Sequence, residues 1–450
     1  MGYSEVNFDG IVGPTHNYAG LAHGNIASTA NRSSMANPRE AALQSLAKAW
    51  SVAEQGFPQA VLPPHDRPAV WALRSYGIPG SSDEEVIAKA ARLSPDLLHA
   101  ATSASAMWVA NAFTMTPSCD TRDSRAHFTP ANLQSKLHRW LEGPFTETLL
   151  KTIFPDSDRF FIHEPLRGGD AMADEGAANH TRLCSDINGP GLHLFVYGRS
   201  AFQENGPRPA RFPARQTLES VQALARNHQI PHHQFSFAQQ SPHAIDSGVF
   251  HNDVISIGNR NFFLVHEDAY VEGKDTLSRL STRFQNLTGK HLQVQSISRR
   301  EIPLEEAVRT YLFNSQLLGD EEGGMFLLAP AECRESEFVA PWLDELIGQP
   351  GNPLQEVQFA ELRQSMRNGG GPACLRQRVV LKENELHQMK GRLLLDETLY
   401  AELSAWICRH YRDRLAQDDL RDPQLLSESR TALDELTQIL RLPALYPFQW

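Results

Sequence analysis

The sequence has no apolar run of about 18 residues, the length a membrane-spanning helix needs, and no lysine/arginine block. The first absence argues against a membrane-spanning helix. The second, with a net charge of −11, argues against nucleic acid. Cysteine is scarce. Five residues in 450, an odd count with no CxxC pair, make no disulfide framework and point to a reducing cytoplasm. No HExxH motif or Cys/His cluster has metal-ligand spacing, so neither a metal nor another cofactor is expected. The stretch Met1 to Asp9 lacks the basic and apolar segments of a secretory signal. With no low-complexity linker, residues 1–450 are expected to form one catalytic body. No repeat can be established from the sequence.

What is present is ordinary for a globular protein: 41% hydrophobic and 21% charged residues. Strands alternate with helices, which is an α/β pattern. Asn37-Pro38 opens a helix with Leu43, Leu46, Trp50 and Ala53 on one face, ended by Gly56. Ser82 starts another, and Thr129-Pro130 is expected to cap a third that carries His138 and Arg139. Further helices are expected over 217–227 and 304–318 and after Asp422-Pro423. Strands are expected over 192–197, 234–238, 254–257, 262–266, 292–298, 325–328, 357–362 and 375–381.

Three stretches carry candidate chemistry. Asn368-Gly369-Gly370-Gly371-Pro372-Ala373-Cys374 sets a cysteine on a glycine loop just before a strand, where backbone can approach a ligand. Cys374 there is either a nucleophile or a buried structural thiol. Cys119, Cys184, Cys333 and Cys408 have no such setting and read as structural. In His251-Asn252-Asp253, alternate positions of a strand share a face, so His251 and Asp253 would enter one cavity; otherwise they are solvent-facing residues at a strand start. In Asp174-Glu175-Gly176, two acids flank small residues and either meet a ligand or begin a helix. Asn111, inside an apolar stretch, is a satisfied core amide or a substrate contact. The Gly-rich segment around Ala19 to Ser28 is an anion cradle or a surface loop. A thiol, an imidazole and carboxylates suit a planar cationic substrate, because carboxylates pair bidentately with guanidinium.

These motifs, with Phe212-Pro213-Ala214-Arg215-Gln216, resemble the N-succinylarginine dihydrolase family of the guanidine-modifying superfamily, from Glu5 to Phe448. The resemblance implies an α/β fold: a pseudo-fivefold propeller of ββαβ-like units. It also implies a cytoplasmic homodimer acting on the small molecule N-succinylarginine. By motif position Cys374 resembles the nucleophile, and His251 and Glu175 the acid/base and carboxylate members. The implied substrate contacts are the loop Ala19, Gly20, Leu21, Ala22, His23, Gly24, Asn25, Ile26, Ala27 and Ser28, together with Asn111, His138, Arg139, Arg215, Asp253 and Asn368. A deiminase that stops after one ammonia, a Cys-His acyl transferase and a non-catalytic binder of arginine derivatives are the rival readings.

Overall fold

The computed structural model describes residues 2–203, 205–319 and 323–450; Met1, the first residue of the N-terminal stretch read above, lies outside them. No helix among the described residues is long and apolar enough to cross a membrane.

Fifteen strands among the described residues form five three-stranded sheets of one design. In each, a first strand pairs antiparallel with a second, and the second pairs parallel with a third. The middle strand of the first sheet is β1 (Tyr3–Gly10), which runs parallel to β2 (Gln59–Leu62). The next sheet holds β3 (Phe113–Thr116), β4 (Ala126–Pro130) and β5 (Phe160–Ile162). The third has β6 (His180–Cys184), β7 (Gly191–Tyr197) and β8 (Phe235–Gln239). The fourth has β9 (Ser256–Asn259), β10 (Phe262–His266) and β11 (Gln293–Ile297). The fifth has β12 (Gln316–Gly319), β13 (Met325–Pro330) and β14 (Leu354–Ala360). Finally β15 (Arg376–Lys382) returns to the start of the chain. It lies antiparallel to β1, from Asp9 opposite Arg376 to Tyr3 opposite Lys382, and becomes the first strand of the first sheet.

A parallel pair cannot be joined by a tight turn and needs a crossover. Helices α1 (Pro38–Ala53), α2 (Gly143–Ile153), α3 (Leu218–Asn227), α4 (Gly273–Thr288) and α5 (Val339–Ile347) each lie between the second and third strands of their sheets. The unit is therefore ββαβ, repeated five times, as the resemblance implied. Local chemistry starts these helices. Asn37 Oδ1 accepts from Glu40 N–H at 3.0 Å, and Thr217 Oγ1 accepts from Ser220 N–H at 3.3 Å. The C-terminal helices α6 (Glu397–His410) and α7 (Pro423–Ile439) are capped by Asp396 and Asp422. Helix α6 packs on α1, and α7 buries Leu426, Leu433 and Leu436.

Three expectations fail. Thr129-Pro130 ends β4 instead of capping a helix, because the segment is fully buried and hydrogen-bonds as a ladder to β3; His138 and Arg139 sit on a separate one-turn helix, Leu137–Trp140. The helix at Leu304 stops at Thr310, where Tyr311 turns left-handed (φ 53°), and residues 316–318 join β12. Val254 belongs to a 3₁₀ turn, Asn252–Val254, and the strand begins at Ser256. His251 and Asp253 are thus not alternate positions of one strand.

Candidate active site

The turn before each first strand brings a polar side chain to one common place. Asn111 precedes β3, Glu175 precedes β6, His251 and Asp253 precede β9, Asn314 precedes β12, and Cys374 precedes β15. Hydrogen bonds link these five turns into a closed ring. Asn111 Nδ2 donates to the Glu175 carbonyl at 2.8 Å, and His251 Nε2 lies 2.7 Å from Glu175 Oε2. Asn314 Nδ2 contacts the Asp253 carbonyl at 3.4 Å, and Asn314 Oδ1 accepts from the Cys374 N–H at 3.1 Å. The Cys374 carbonyl accepts from Ala110 N–H at 3.2 Å, which closes the circuit.

A carboxylate only accepts, so His251 Nε2 carries the hydrogen and Nδ1 is left with a long 3.5 Å contact to Asn111. Burial opposes ionisation of Glu175. His251, Arg215 (Nη1 at 3.9 Å) and Ser135 (Oγ at 2.6 Å) outweigh it and hold the carboxyl down at about 2. Burial lowers His251 to about 4 against the pull of Glu175, aided by Arg215 and Arg139. The pair is therefore carboxylate and neutral imidazole. Across the ring, Cys374 Sγ lies 3.8 Å from Asp253 Oδ2. Burial, then the Asp253 charge, pushes the thiol well above its ordinary value; burial lifts Asp253 itself to about 7. Among the described residues no hydrogen bond joins the sulfur to His251.

The glycine triplet has a steric cause. A Cβ at Gly369 would collide with the Asn25 side chain, at Gly370 with the Trp108 indole, and at Gly371 with Asn314. Gly369 also has a φ of 88°, which L side chains rarely adopt. The loop from Ala19 to Ser28 packs against this triplet. Asn25 Nδ2 donates to the Gly369 carbonyl at 2.9 Å while its Oδ1 caps the short helix Ile26–Ala30. Asn368 Nδ2 donates to the Asn17 carbonyl at 3.0 Å, and the His23 carbonyl accepts from Arg215 Nη2 at 3.1 Å. Within the loop, Ala22, Gly24, Asn25 and Ser28 are buried, whereas His23 and Ile26 are exposed.

His138 and Arg139 are buried, and the charge of Arg139 acts on both His251 and Cys374. Arg139 Nε is 2.9 Å from Glu142 Oε1 but out of line for a hydrogen bond. Its Nη2 and the Nε of Arg215 also lack partners, so two buried guanidiniums keep free donors. Sequence reasoning missed Asn314, Tyr311 and Ser135. Asn314 and Tyr311 were hidden inside the stretch read as one long helix, yet Asn314 holds the Gly371 and Cys374 N–H groups together. Gln216 was quoted without a role; its Oε1 accepts from the Glu175 N–H at 2.7 Å.

A succinylarginine dihydrolase family model matches residues 2–449. The N-succinylarginine dihydrolase of Burkholderia ambifaria is 53% identical over 449 residues, covering 100% of both chains; that of Burkholderia multivorans has the same figures. Among solved structures, the product-bound N-terminal domain of ArgZ, a cyanobacterial arginine dihydrolase, superposes with a TM-score of 0.51 at 12% identity, covering 84% of this chain and 97% of that one. A variant of the same domain, covalently bound to a reaction intermediate, also gives 0.51 at 12% identity, covering 84% and 98%. This likeness extends to the fold.

Proposed function

The chain belongs to the succinylarginine dihydrolase family, a family of hydrolases, and from that premise we propose that it converts N-succinylarginine to N-succinylornithine, two ammonia and carbon dioxide, with Cys374 as nucleophile. The ring of five turns carries this reading, because it sets the thiol beside Asp253 and the His251–Glu175 pair within the same circuit.

In the empty site Cys374 is a thiol. A guanidinium bound beside Asp253 brings the positive charge that favours the thiolate. The thiol proton passes to His251 and the sulfur attacks the guanidinium carbon. His251, an imidazolium held by Glu175, then protonates one amino group. That C–N bond breaks, ammonia leaves, and an amidino-thioether remains on Cys374. Water attacks the same carbon as His251 takes its proton. The S–C bond breaks, giving a ureido group and the free sulfur. In a second round the thiolate attacks the ureido carbon and expels the second ammonia. Water cleaves the thiocarbamate to a carbamate, which loses carbon dioxide and leaves the amine of succinylornithine.

Arg139 and Arg215, with their free buried donors, suit the carboxylates of the substrate. The loop from Ala19 to Ser28, Asn111, His138, Asp253 and Asn368 complete the proposed contacts. The whole chain acts as one catalytic domain, in a cytoplasmic homodimer that sediments at twice the 50.3-kDa chain mass. The decisive measurement is ammonia released per N-succinylarginine consumed. Two equivalents with succinylornithine, and none from Cys374→Ser, are expected. One equivalent with a ureido product would instead make the enzyme a deiminase.

A further inference from the structure

Behind the ring lies a cavity of about 100 Å³ that no step above uses. Its wall draws on every sheet: Met115 of β3, Arg182 of β6, Gly258 of β9, Ser315 beside β12 and Arg376 of β15. A space bounded by all five first-strand regions lies on the pseudo-fivefold axis. Its end nearest the catalytic ring is formed by Ala110, Asp253 and Ala373. Ala110 donates to the Cys374 carbonyl, Ala373 precedes Cys374 in the chain, and Asp253 faces the sulfur. The cavity and the nucleophile therefore share a wall.

The charges on that wall do not balance. Arg182 is neutralised by Asp120, 2.5 Å from its Nε. Arg378 donates to the carbonyls of Gly258 and Arg182, each at 3.1 Å, with Glu5 at 3.9 Å. Nearby Asp9 is taken by Lys48 at 2.6 Å. Of the arginines in the wall, Arg376 has no ion pair among the described residues, and its buried Nε has no hydrogen-bond partner. Asp253 is the one carboxyl in the wall. A half-buried guanidinium with no ion pair, in a polar cavity, repels ammonium and leaves fork donors for a planar anion. A space of about 100 Å³ accommodates several waters or a four-atom planar ion.

We propose that this axial cavity binds a small planar oxyanion at Arg376, and that bicarbonate, the hydrated form of the carbon dioxide released in turnover, is its ligand. The choice of bicarbonate rests on the proposed reaction; the site itself does not. An anion there adds negative charge behind Asp253 and the thiol, which opposes thiolate formation without occupying the substrate cleft. It acts as a product brake: kcat falls and KM for N-succinylarginine stays unchanged.

Two measurements test this. Cys374→Ser protein is titrated calorimetrically at fixed pH with sodium bicarbonate and sodium nitrate against a sodium chloride blank. Saturable binding of both is expected, weakened at least tenfold by adding Arg376→Gln. Should Arg376→Gln not fold, Val380→Phe, which places a ring in the cavity from β15, is expected to abolish binding. In the active enzyme bicarbonate should lower the ammonia release rate with KM unchanged, and Arg376→Gln should weaken that inhibition at least tenfold. Absence of saturable binding, equal binding by the variants, or inhibition competitive with N-succinylarginine overturns the proposal. Binding by Cys374→Ser protein, with no ammonia from the wild type, would support the anion site while the proposed reaction falls.

Discussion

Two buried histidine–carboxylate pairs in this molecule have almost the same chemistry and opposite circumstances. At the ring of five turns His251 meets Glu175 at 2.7 Å, with Arg215 nearby. Inside the third sheet His193 of β7 meets Asp120 at 2.9 Å, with Arg182 at 2.5 Å. The second pair is saturated. Asp120 also accepts from the Gly191 N–H at 2.8 Å, and His193 Nδ1 is engaged by His180 at 2.8 Å. The first pair keeps capacity: His251 Nδ1 has only its long contact to Asn111, and Arg215 Nε has no partner. Composition and burial do not separate the two pairs; the unspent hydrogen-bonding capacity on the ring that also carries Cys374 does.

The sharpest way to break this comparison is to neutralise each acid. Glu175→Gln should lower kcat/KM by roughly 10³-fold, as for loss of a general acid–base partner, in protein that remains folded at the assay temperature. Asp120→Asn should do the reverse, costing about 3 kcal/mol of stability by stranding the buried Arg182, with activity per folded molecule intact. If Asp120→Asn abolished turnover in a fully folded protein, the distinction would be wrong. Next in size, Arg215→Ala should raise KM for N-succinylarginine roughly tenfold, about 1.4 kcal/mol, and affect free arginine much less. Equal effects on the two substrates would mean that Arg215 does not read the succinyl carboxylate.

Acid titration sharpens the comparison further. Burial lowers His163 to about 4 and holds His180, His193 and His228 below the ordinary imidazole value. Their unfolded forms protonate near pH 6.5, so the unfolded state binds more protons between pH 6.5 and about 4. Stability is full above that window and is lost as pH falls through it. Each group can contribute up to about 1.4 kcal/mol per pH unit. Melting temperatures measured from pH 7.5 to 4.5 should fall accordingly, and a flat profile would show these histidines to be charged in the fold. The smallest effect is the baseline. Arg409→Ala removes an exposed pair with Glu435 and should change stability by under about 1 kcal/mol, with no change in kcat or KM.

Much of the site was legible because its signals are local. Three consecutive glycines before a cysteine announced a close approach, and the structure supplies the three side chains that require it: Asn25, Trp108 and Asn314. The helix starts at Asn37 and Asp422 are likewise local, since side chain and N–H lie within three residues. Asn314 was not legible. The apolar spacing from Leu304 onward continues as a helix would, and the left-handed Tyr311 that breaks it is set by packing. Thr129-Pro130 misled for the same reason: a cap signal was overridden by pairing with β3.

The sequence alone determined the inventory of reactive groups, the absence of a membrane-spanning helix and, through its long motifs, the family. These depend on residue identity and short spacing. Tertiary structure decided the fivefold repetition, the closure of β15 on β1, which of several histidines joins the ring of turns with Cys374, and the protonation of each. A ladder partner some 370 residues away, the His251, Arg215 and Ser135 contacts that hold Glu175 at about 2 against its burial, and the burial that lifts Asp253 to about 7 arise only when distant segments come together.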